Sequence, residues 1–234
     1  MRKFSLILFA CFVVLTAQAQ DYLGLELGFA QSITRLNSPN LKSGTELSPT
    51  SYNGFELGIV YDANIVKGFG VTLGLNYTLG ANATDWMKQI ATQPGLYPKV
   101  RSRGQYHQLE IPVEWQYKFE IAKRTWLILY TGPTLQCGLE LKDKWYIRTD
   151  NKSDAFTHEE DFYSEEMEDY MLKRLNVTWG IGAGFQYERY FLRGGYDFGL
   201  INPYKAQSFA GIDIYTRGRF DQWQIKLGMY LWER

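Results

Sequence analysis

The chain has 234 residues, of which 25 are lysine or arginine and 25 are aspartate or glutamate, so its formal net charge at pH 7 is zero. This balance disfavours a nucleic-acid partner, because such proteins usually carry a basic surface. The cysteines are Cys11 and Cys137. Since Cys11 falls in an N-terminal segment that we expect to be removed, no internal disulfide is predicted.

The N-terminal segment, MRKFSLILFACFVVLTAQAQ, has the three parts of a secretory signal peptide. Two cations precede an apolar run over 4–15, and small residues follow at Ala17 and Ala19. We predict cleavage after Ala19, or one residue later, which leaves 20–234 as a single domain. The apolar run is shorter than the roughly 20 residues of a membrane-spanning helix.

Beyond this segment, apolar and polar residues alternate with the period of two that is typical of β-strands. The eight runs lie at 21–30, 54–62, 69–80, 106–119, 125–141, 176–188, 191–200 and 220–232. Short connections at 63–68, 120–123 and 189–190 alternate with long ones at 36–52, 85–104, 142–174 and 202–217. Short turns at one end and long loops at the other are typical of outer-membrane barrels, and they predict both termini on the short-turn side.

The two faces of the predicted strands differ in composition. Over 69–80, one face is aliphatic or aromatic and the other carries glycine, threonine and asparagine. A secreted lipocalin-like barrel also has eight alternating strands, but its exterior would carry many lysines and glutamates. We therefore predict an all-β fold, an eight-stranded antiparallel transmembrane β-barrel of the outer-membrane type, with an apolar exterior and a polar interior.

Four stretches carry a resemblance to a known family. In chain order they are NGFELGIVYDANIVKGFGVTLGLNYTLGAN, YHQLEIPVEWQYKF, LILYTGPTLQCGL and WGIGAGFQYERYFLRGGYDFGL. They resemble the outer-membrane β-barrel family that is widespread in Bacteroidota, the PorT-like or porin-family barrels. The most specific elements are LEIPV, the Gly132–Pro133 pair and RGGYDFGL. The resemblance implies a cell outer-membrane location and, for some members, a link to type IX secretion, and it supplies no catalytic motif.

Pro112 interrupts the best alternating run, HQLEIPVEWQYKF. Proline cannot donate to a sheet ladder and is normally confined to edges, strand starts and bulges. Because a closed barrel has no edge strand, we predict that Pro112 lies at a bulge or forgoes one ladder hydrogen bond.

The inward-facing positions contain more acids than bases. The acids are Glu26, Glu56, Asp62, Glu110, Glu114, Glu140, Glu188 and Asp197, and the bases are Lys118, Arg193 and Lys226. The candidate lumen charge network comprises Glu26, Glu56, Glu110, Glu114, Arg193, Asp197 and Lys226. A cation path or a proton-sharing cluster is one interpretation. We favour a packed plug centred on Arg193 and Lys226, because side chains can fill so narrow a barrel and unpaired buried charge is costly.

The third long connection is rich in acids. It carries Asp154, Glu159, Glu160, Asp161, Glu165, Glu166, Glu168 and Asp169, without lysine or arginine between them, while the preceding long connection carries Lys88, Lys99, Arg101 and Arg103. The acids suggest a loop that binds divalent cations or a basic partner. The alternative is a solvated loop that the basic neighbour partly neutralises. The spacing lacks the glycine turn of calcium loops, and interleaved aromatic residues favour a short helix or a recognition surface.

Catalytic residues are scarce in this sequence. The histidines are His107 and His158, and Ser102 lies near His107 in what we expect to be a loop. No third group completes a hydrolase site, so we predict a protein that is not an enzyme and needs no cofactor.

The residues favour a membrane-anchored scaffold or binding platform. We expect it to sit in outer-membrane lipid and to engage a protein or ligand through its long extracellular loops, and the family resemblance implies an accessory role in secretion or surface assembly as one such use. A small-solute channel is the alternative interpretation, and a lipid-modifying outer-membrane enzyme is a remote one.

Overall fold

The computed structural model describes residues 20–37, 50–66, 68–83, 87–88, 99–148, 155–161, 163, 172–204, 207–209, 212–214 and 217–233. Within these ranges the chain forms twelve β-strands. They are β1 (Gln20–Asn37), β2 (Thr50–Val66), β3 (Phe69–Ala83), β4 (Met87–Lys88), β5 (Lys99–Ala122), β6 (Thr125–Arg148), β7 (Ala155–Asp161), β8 (Leu175–Tyr187), β9 (Tyr190–Gly199), β10 (Gln207–Phe209), β11 (Ile212–Ile214) and β12 (Arg217–Glu233). None of the described segments is a helix of the length and apolarity that crossing a membrane requires. The predicted signal peptide at 1–19 lies outside the described residues.

The long strands close into a ring. Its order is β5-β3-β2-β1-β12-β9-β8-β6, and β6 pairs back onto β5. Every pairing in the ring is antiparallel. The predicted eight-stranded antiparallel barrel is therefore confirmed.

The ends of the barrel differ as the connection lengths predict. At one end, which we call the turn end, tight turns join β2 to β3, β5 to β6 and β8 to β9. Strand β1 begins and strand β12 ends at this same end, where Tyr22 pairs with Glu233. Gly68, Arg124 and Glu188 have positive φ angles in these three turns. The opposite end, the loop end, holds the long connections. Strands extend further at the loop end than the sequence predicts, since β5 begins at Lys99 and β6 ends at Arg148.

The distribution of apolar and polar side chains is the reverse of that in a soluble protein. The neighbouring residues Phe55 and Glu56 of β2 are 76% and 2% exposed, respectively. The same alternation leaves leucine, isoleucine and aromatic side chains of the ring exposed, while glutamate, glutamine, asparagine and threonine are buried inside. An apolar outer band around a polar interior is what a bilayer requires of a barrel.

Pro112 forgoes a ladder bond and does not form a bulge. The β3–β5 pairing stops at Glu110 and resumes at Val113 in the same register. Pro112 faces Gly74 across this gap, and a Cβ atom on Gly74 would lie 2.7 Å from Cγ of the proline ring. The missing side chain of Gly74 therefore makes room for Pro112.

A bulge occurs nearer the loop end, between β5 and β6. His107 pairs with Glu140, but Gln108 pairs with Gly138, so Leu139 is the extra residue. The bulge changes the parity of β6, and Leu141 rather than Glu140 becomes buried. The predicted inward position of Glu140 is wrong for this reason, because strict alternation cannot anticipate an inserted residue.

Candidate functional site

The candidate charge network lies together inside the barrel. Its members are Glu26 on β1, Glu56 on β2, Glu110 and Glu114 on β5, Arg193 and Asp197 on β9, and Lys226 on β12. Their exposed fractions range from 1% for Glu110 and Asp197 to 7% for Lys226. Because none of these side chains reaches bulk solvent, the chemistry of the interior depends on how they pair.

Lys226 neutralises two carboxylates. Its Nζ atom lies 2.5 Å from Oε1 of Glu56 and 3.2 Å from Oε1 of Glu26. These three residues come from β12, β2 and β1, which are neighbours in the ring. One lysine thus links the first and last strands of the barrel, β1 and β12, and β2 from the inside.

Arg193 reaches across the interior. Its NH2 atom lies 3.3 Å from Oε2 of Glu114, 3.3 Å from Oγ1 of Thr72 and 3.4 Å from Oε1 of Gln116. The guanidinium also lies 4.5 Å from the centre of the Tyr130 ring. Arg193 on β9 therefore connects to β3, β5 and β6, none of which pairs with β9.

A third basic residue, Lys118, forms a site near the turn end. Its Nζ atom lies 2.8 Å from Oδ2 of Asp62 and donates to Oε1 of Gln186 at 2.8 Å. Asp62 also accepts hydrogen bonds from Tyr230, at 2.6 Å, and from Gln116. Inward parity pointed to Lys118 and Asp62, but the sequence contains no signal that pairs them.

Glu110 and Asp197 have neutral partners. Glu110 accepts hydrogen bonds from Thr78, Gln108 and Gln222, and Asp197 accepts one from Gln224. Neither carboxylate forms an ion pair with a base in the described part of the chain. Across those same residues, no group of three or more histidine, cysteine, aspartate or glutamate side chains has a metal-holding geometry.

Contacts between non-adjacent strands block the bore. Tyr230 of β12 reaches Asp62 of β2, and Gln222 of β12 reaches Glu110 of β5. The cavity between Glu114, Arg193 and Lys226 measures only about 10 Å³, which is room for one water molecule at most. Within the described part of the chain, a cavity of about 520 Å³ lies at the turn end, beside Tyr22 and Trp126.

Aromatic side chains cover the interior at the loop end. The buried cluster consists of Tyr52, Tyr106, Leu141, Tyr163 and Leu172. Burial raises the pKa of Tyr163 to about 12, so its phenol is neutral at physiological pH. The hydroxyl of Tyr106 lies 3.0 Å from Oγ of Ser32 on the far side of the barrel. The cluster therefore forms a lid of neutral side chains over the charged interior.

Beyond the lid, the hairpin of β5 and β6 extends as part of a wider sheet. Strand β4 pairs with the outer part of β5, and β7 pairs with the outer part of β6. Arg101 and Arg103 of β5 lie over the ring of Tyr146, with Cζ to centroid distances of 5.7 and 5.5 Å. We call the sheet formed by β4, the outer parts of β5 and β6, and β7 the extracellular sheet, in keeping with the side of the membrane that the loop ends of such barrels occupy.

Part of the predicted acidic loop belongs to this sheet. Glu159, Glu160 and Asp161 lie on β7, while Asp154, Glu165, Glu166, Glu168 and Asp169 lie outside the described residues. Of the two alternatives for this segment, a short helix or a recognition surface, the short helix is wrong over Ala155–Asp161, because hydrogen bonding to β6 makes it a strand.

The bases that face these acids are Lys142 and Lys144 of β6. Register pairs Lys142 with Asp161 and Lys144 with Glu159, and Nζ of Lys144 lies 3.6 Å from Oε2 of Glu159. Lys88, Lys99, Arg101 and Arg103, the bases that the sequence suggested, belong to β4 and β5 on the other side of β6. The sequence could not identify the partners because it does not show which strand β7 joins.

Ser102 and His107 do not form a catalytic pair. Ser102 is a buried residue of strand β5, not of a loop as predicted. His107 lies on the opposite face of β5, where its Nδ1 is hydrogen-bonded to the hydroxyl of Tyr77. Five residues of extended strand place the two side chains on opposite sides of the barrel wall.

The fold is similar to those of solved outer-membrane proteins. Ail, the attachment invasion locus protein of Yersinia pestis, is 10% identical with a TM-score of 0.40, and the alignment covers 89% of this chain and 98% of Ail. OprG from Pseudomonas aeruginosa is 10% identical with a TM-score of 0.41, and the alignment covers 91% of this chain and 96% of OprG. The outer membrane enzyme PagL is 11% identical with a TM-score of 0.40, and the alignment covers 86% of this chain and 98% of PagL.

The comparison with curated proteins gives no match. In the comparison with protein families, the model described as outer membrane protein beta-barrel domain matches residues 17–204. The matched region therefore runs from just before β1 to beyond the end of β9.

Proposed function

Because the chain belongs to the family of outer membrane protein beta-barrel domains, we propose that it is a non-enzymatic platform, anchored in the outer membrane, that binds a partner through the extracellular sheet. The barrel lies in the lipid of the outer membrane, with its exposed apolar band against the acyl chains. The observation that carries the proposal is the contrast between a bore closed by buried polar contacts and a hairpin that continues well past it.

The narrower family resemblance is part of this proposal. PorT-like barrels of Bacteroidota include members linked to secretion, and an anchored surface without a pore is compatible with an accessory role in secretion or surface assembly. The extracellular sheet supplies such a surface, because the basic strands β5 and β6 lie beside the acidic strand β7. A partner with charges of both signs matches this arrangement.

The enzyme alternative has less support. Lipid hydrolases need a nucleophile and a base within hydrogen-bonding distance, and Ser102 and His107 lie on opposite faces of one strand. We therefore propose that this chain has no hydrolytic activity.

Co-purification from native outer membranes in a mild detergent tests the proposal. The intact chain is compared with a variant that carries Glu159→Gln, Glu160→Gln and Asp161→Asn. A partner that the intact chain retains and the variant loses is the expected result, since the variant removes the acidic edge of the extracellular sheet. The matched control is Glu120→Gln, Glu188→Gln and Glu233→Gln, which removes three carboxylates at the turn end. A chain that purifies alone in all three forms contradicts the proposal.

A further inference from the structure

Two arginines lie opposite each other on the outer wall of the barrel. Arg35 of β1 and Arg219 of β12 are direct partners in the antiparallel register. Their side chains are 51% and 49% exposed. Like charges directly opposite each other destabilise a sheet, so this pair needs an explanation.

Asp221 holds both arginines in place. Its Oδ2 atom lies 2.8 Å from Nε of Arg35 and 3.1 Å from Nε of Arg219. The hydroxyl of Tyr196 and the backbone N–H of Gly199 also donate to this carboxylate, each at 3.1 Å. Asp221 is completely buried and accepts three hydrogen bonds, from Arg35, Tyr196 and Gly199, besides its ion pair with Arg219. Among the described residues, its single negative charge is the one that pairs with the two arginines, so it balances only one of their two positive charges.

The position of the arginine pair corresponds to the lipid headgroups. On the turn-end side of Asp221, the next outward residue of β12 is Trp223, whose ring lies 5.5 Å from that of Phe29 and whose Nε1 donates to Gln31 at 2.6 Å. A tryptophan with an apolar body and a hydrogen-bonded N–H marks the boundary between acyl chains and headgroups. Arg35 and Arg219 lie just beyond this boundary, at the loop end and therefore in the outer leaflet.

We propose that Arg35 and Arg219 bind a phosphate group of a lipid headgroup in the outer leaflet. Guanidinium groups match phosphate oxygens with two parallel hydrogen bonds. Both ion pairs to Asp221 use Nε, the guanidinium nitrogen nearest the chain, and no second carboxylate pairs with either guanidinium in the described part of the chain. A phosphate at this position removes the repulsion between the arginines and ties the barrel wall to the surrounding lipid.

The test measures binding of lipid A that carries two phosphates to the full barrel in a nonionic detergent, by native mass spectrometry. The double variant Arg35→Gln, Arg219→Gln is expected to bind about tenfold more weakly, the effect of losing charge-assisted hydrogen bonds. Lipid A without phosphates is expected to bind the wild-type chain weakly, with an affinity similar to that of phosphorylated lipid A for the double variant. Equal binding of both lipids to the wild type, or unchanged binding by the double variant, overturns the proposal.

Two further variants and one competitor complete the experiment. Lys123→Gln with Arg189→Gln removes the same charge at the turn end and is expected to leave binding unchanged. The variant Arg35→Lys, Arg219→Lys keeps both positive charges but cannot form the two parallel hydrogen bonds of a guanidinium, so we expect a loss of lipid affinity smaller than that of the glutamine variant. It also provides a test if the glutamine variant fails to fold. Displacement of the lipid by inorganic phosphate at an equal concentration overturns the assignment to a lipid phosphate.

Discussion

At the scale of single residues, Lys226 shows how the interior tolerates so many carboxylates. It is the sole base within ion-pair distance of Glu26 and Glu56 among the residues described here. Both carboxylates are nearly inaccessible to solvent. Removing one partner of a buried ion pair costs more than the pair itself contributes, because the remaining charge stays buried.

We expect Lys226→Met to lower the free energy of unfolding by about 3–5 kcal/mol, as is typical of a broken buried ion pair. Urea titration of the barrel in lipid vesicles, followed by tryptophan fluorescence, measures this. Adding Glu26→Gln and Glu56→Gln to Lys226→Met should recover most of the loss. Lys123→Met at the exposed turn is the control, and an effect as large as that of Lys226→Met would contradict the interpretation.

Inward parity predicts most of the charged residues that enter the barrel, and the exceptions are Glu140, which the β5–β6 bulge turns away from the interior, and Glu188, which lies exposed in the turn between β8 and β9. Inward parity does not predict the partners of these residues. The sequence places Lys118 and Asp62 among the inward-facing charged residues but does not pair them. The contact between them depends on how β5 and β2, which are not neighbours in the ring, pack inside the barrel. Charge and alternation are properties of the sequence, whereas pairing depends on distances through space.

At the scale of elements, Pro112 and Gly74 act as a unit between β3 and β5. The proline ring occupies the space that a Gly74 side chain would need. We expect Gly74→Ala to destabilise the barrel by about 1–3 kcal/mol, the usual cost of overpacking. The double variant Gly74→Ala, Pro112→Ala should be more stable than Gly74→Ala alone. Additive effects in the same urea titration would show that the two residues are independent.

Strand β7 provides a second prediction at this scale. Lys142→Glu with Lys144→Glu places like charges opposite Asp161 and Glu159, at a cost of roughly 0.2–1 kcal/mol for each pair. We expect β7 to detach and limited proteolysis of reconstituted barrels to cleave faster at 149–174. Lys123→Glu with Arg189→Glu is the control for added negative charge. Unchanged cleavage would mean that backbone hydrogen bonds alone hold β7.

At the scale of the whole molecule, the filled bore predicts that the protein does not conduct ions. Hydrogen bonds from Tyr230 to Asp62 and from Gln222 to Glu110 cross the interior, and the aromatic lid covers the loop end. Recordings in planar bilayers should show no stable single-channel step for the purified barrel. A reproducible step would refute the plug and favour the small-solute channel.

The period of two and the lengths of the connections determined the fold class, because alternation dictates which face meets lipid and short turns dictate which strands are neighbours. The register between paired strands was decided only by the tertiary structure. The bulge that turns Glu140 away from the interior, the addition of β7 to β6, and the placement of Arg35 opposite Arg219 all depend on how strands slide past each other as the ring closes. Alternation alone leaves that sliding undetermined, since any shift by two residues preserves the same faces.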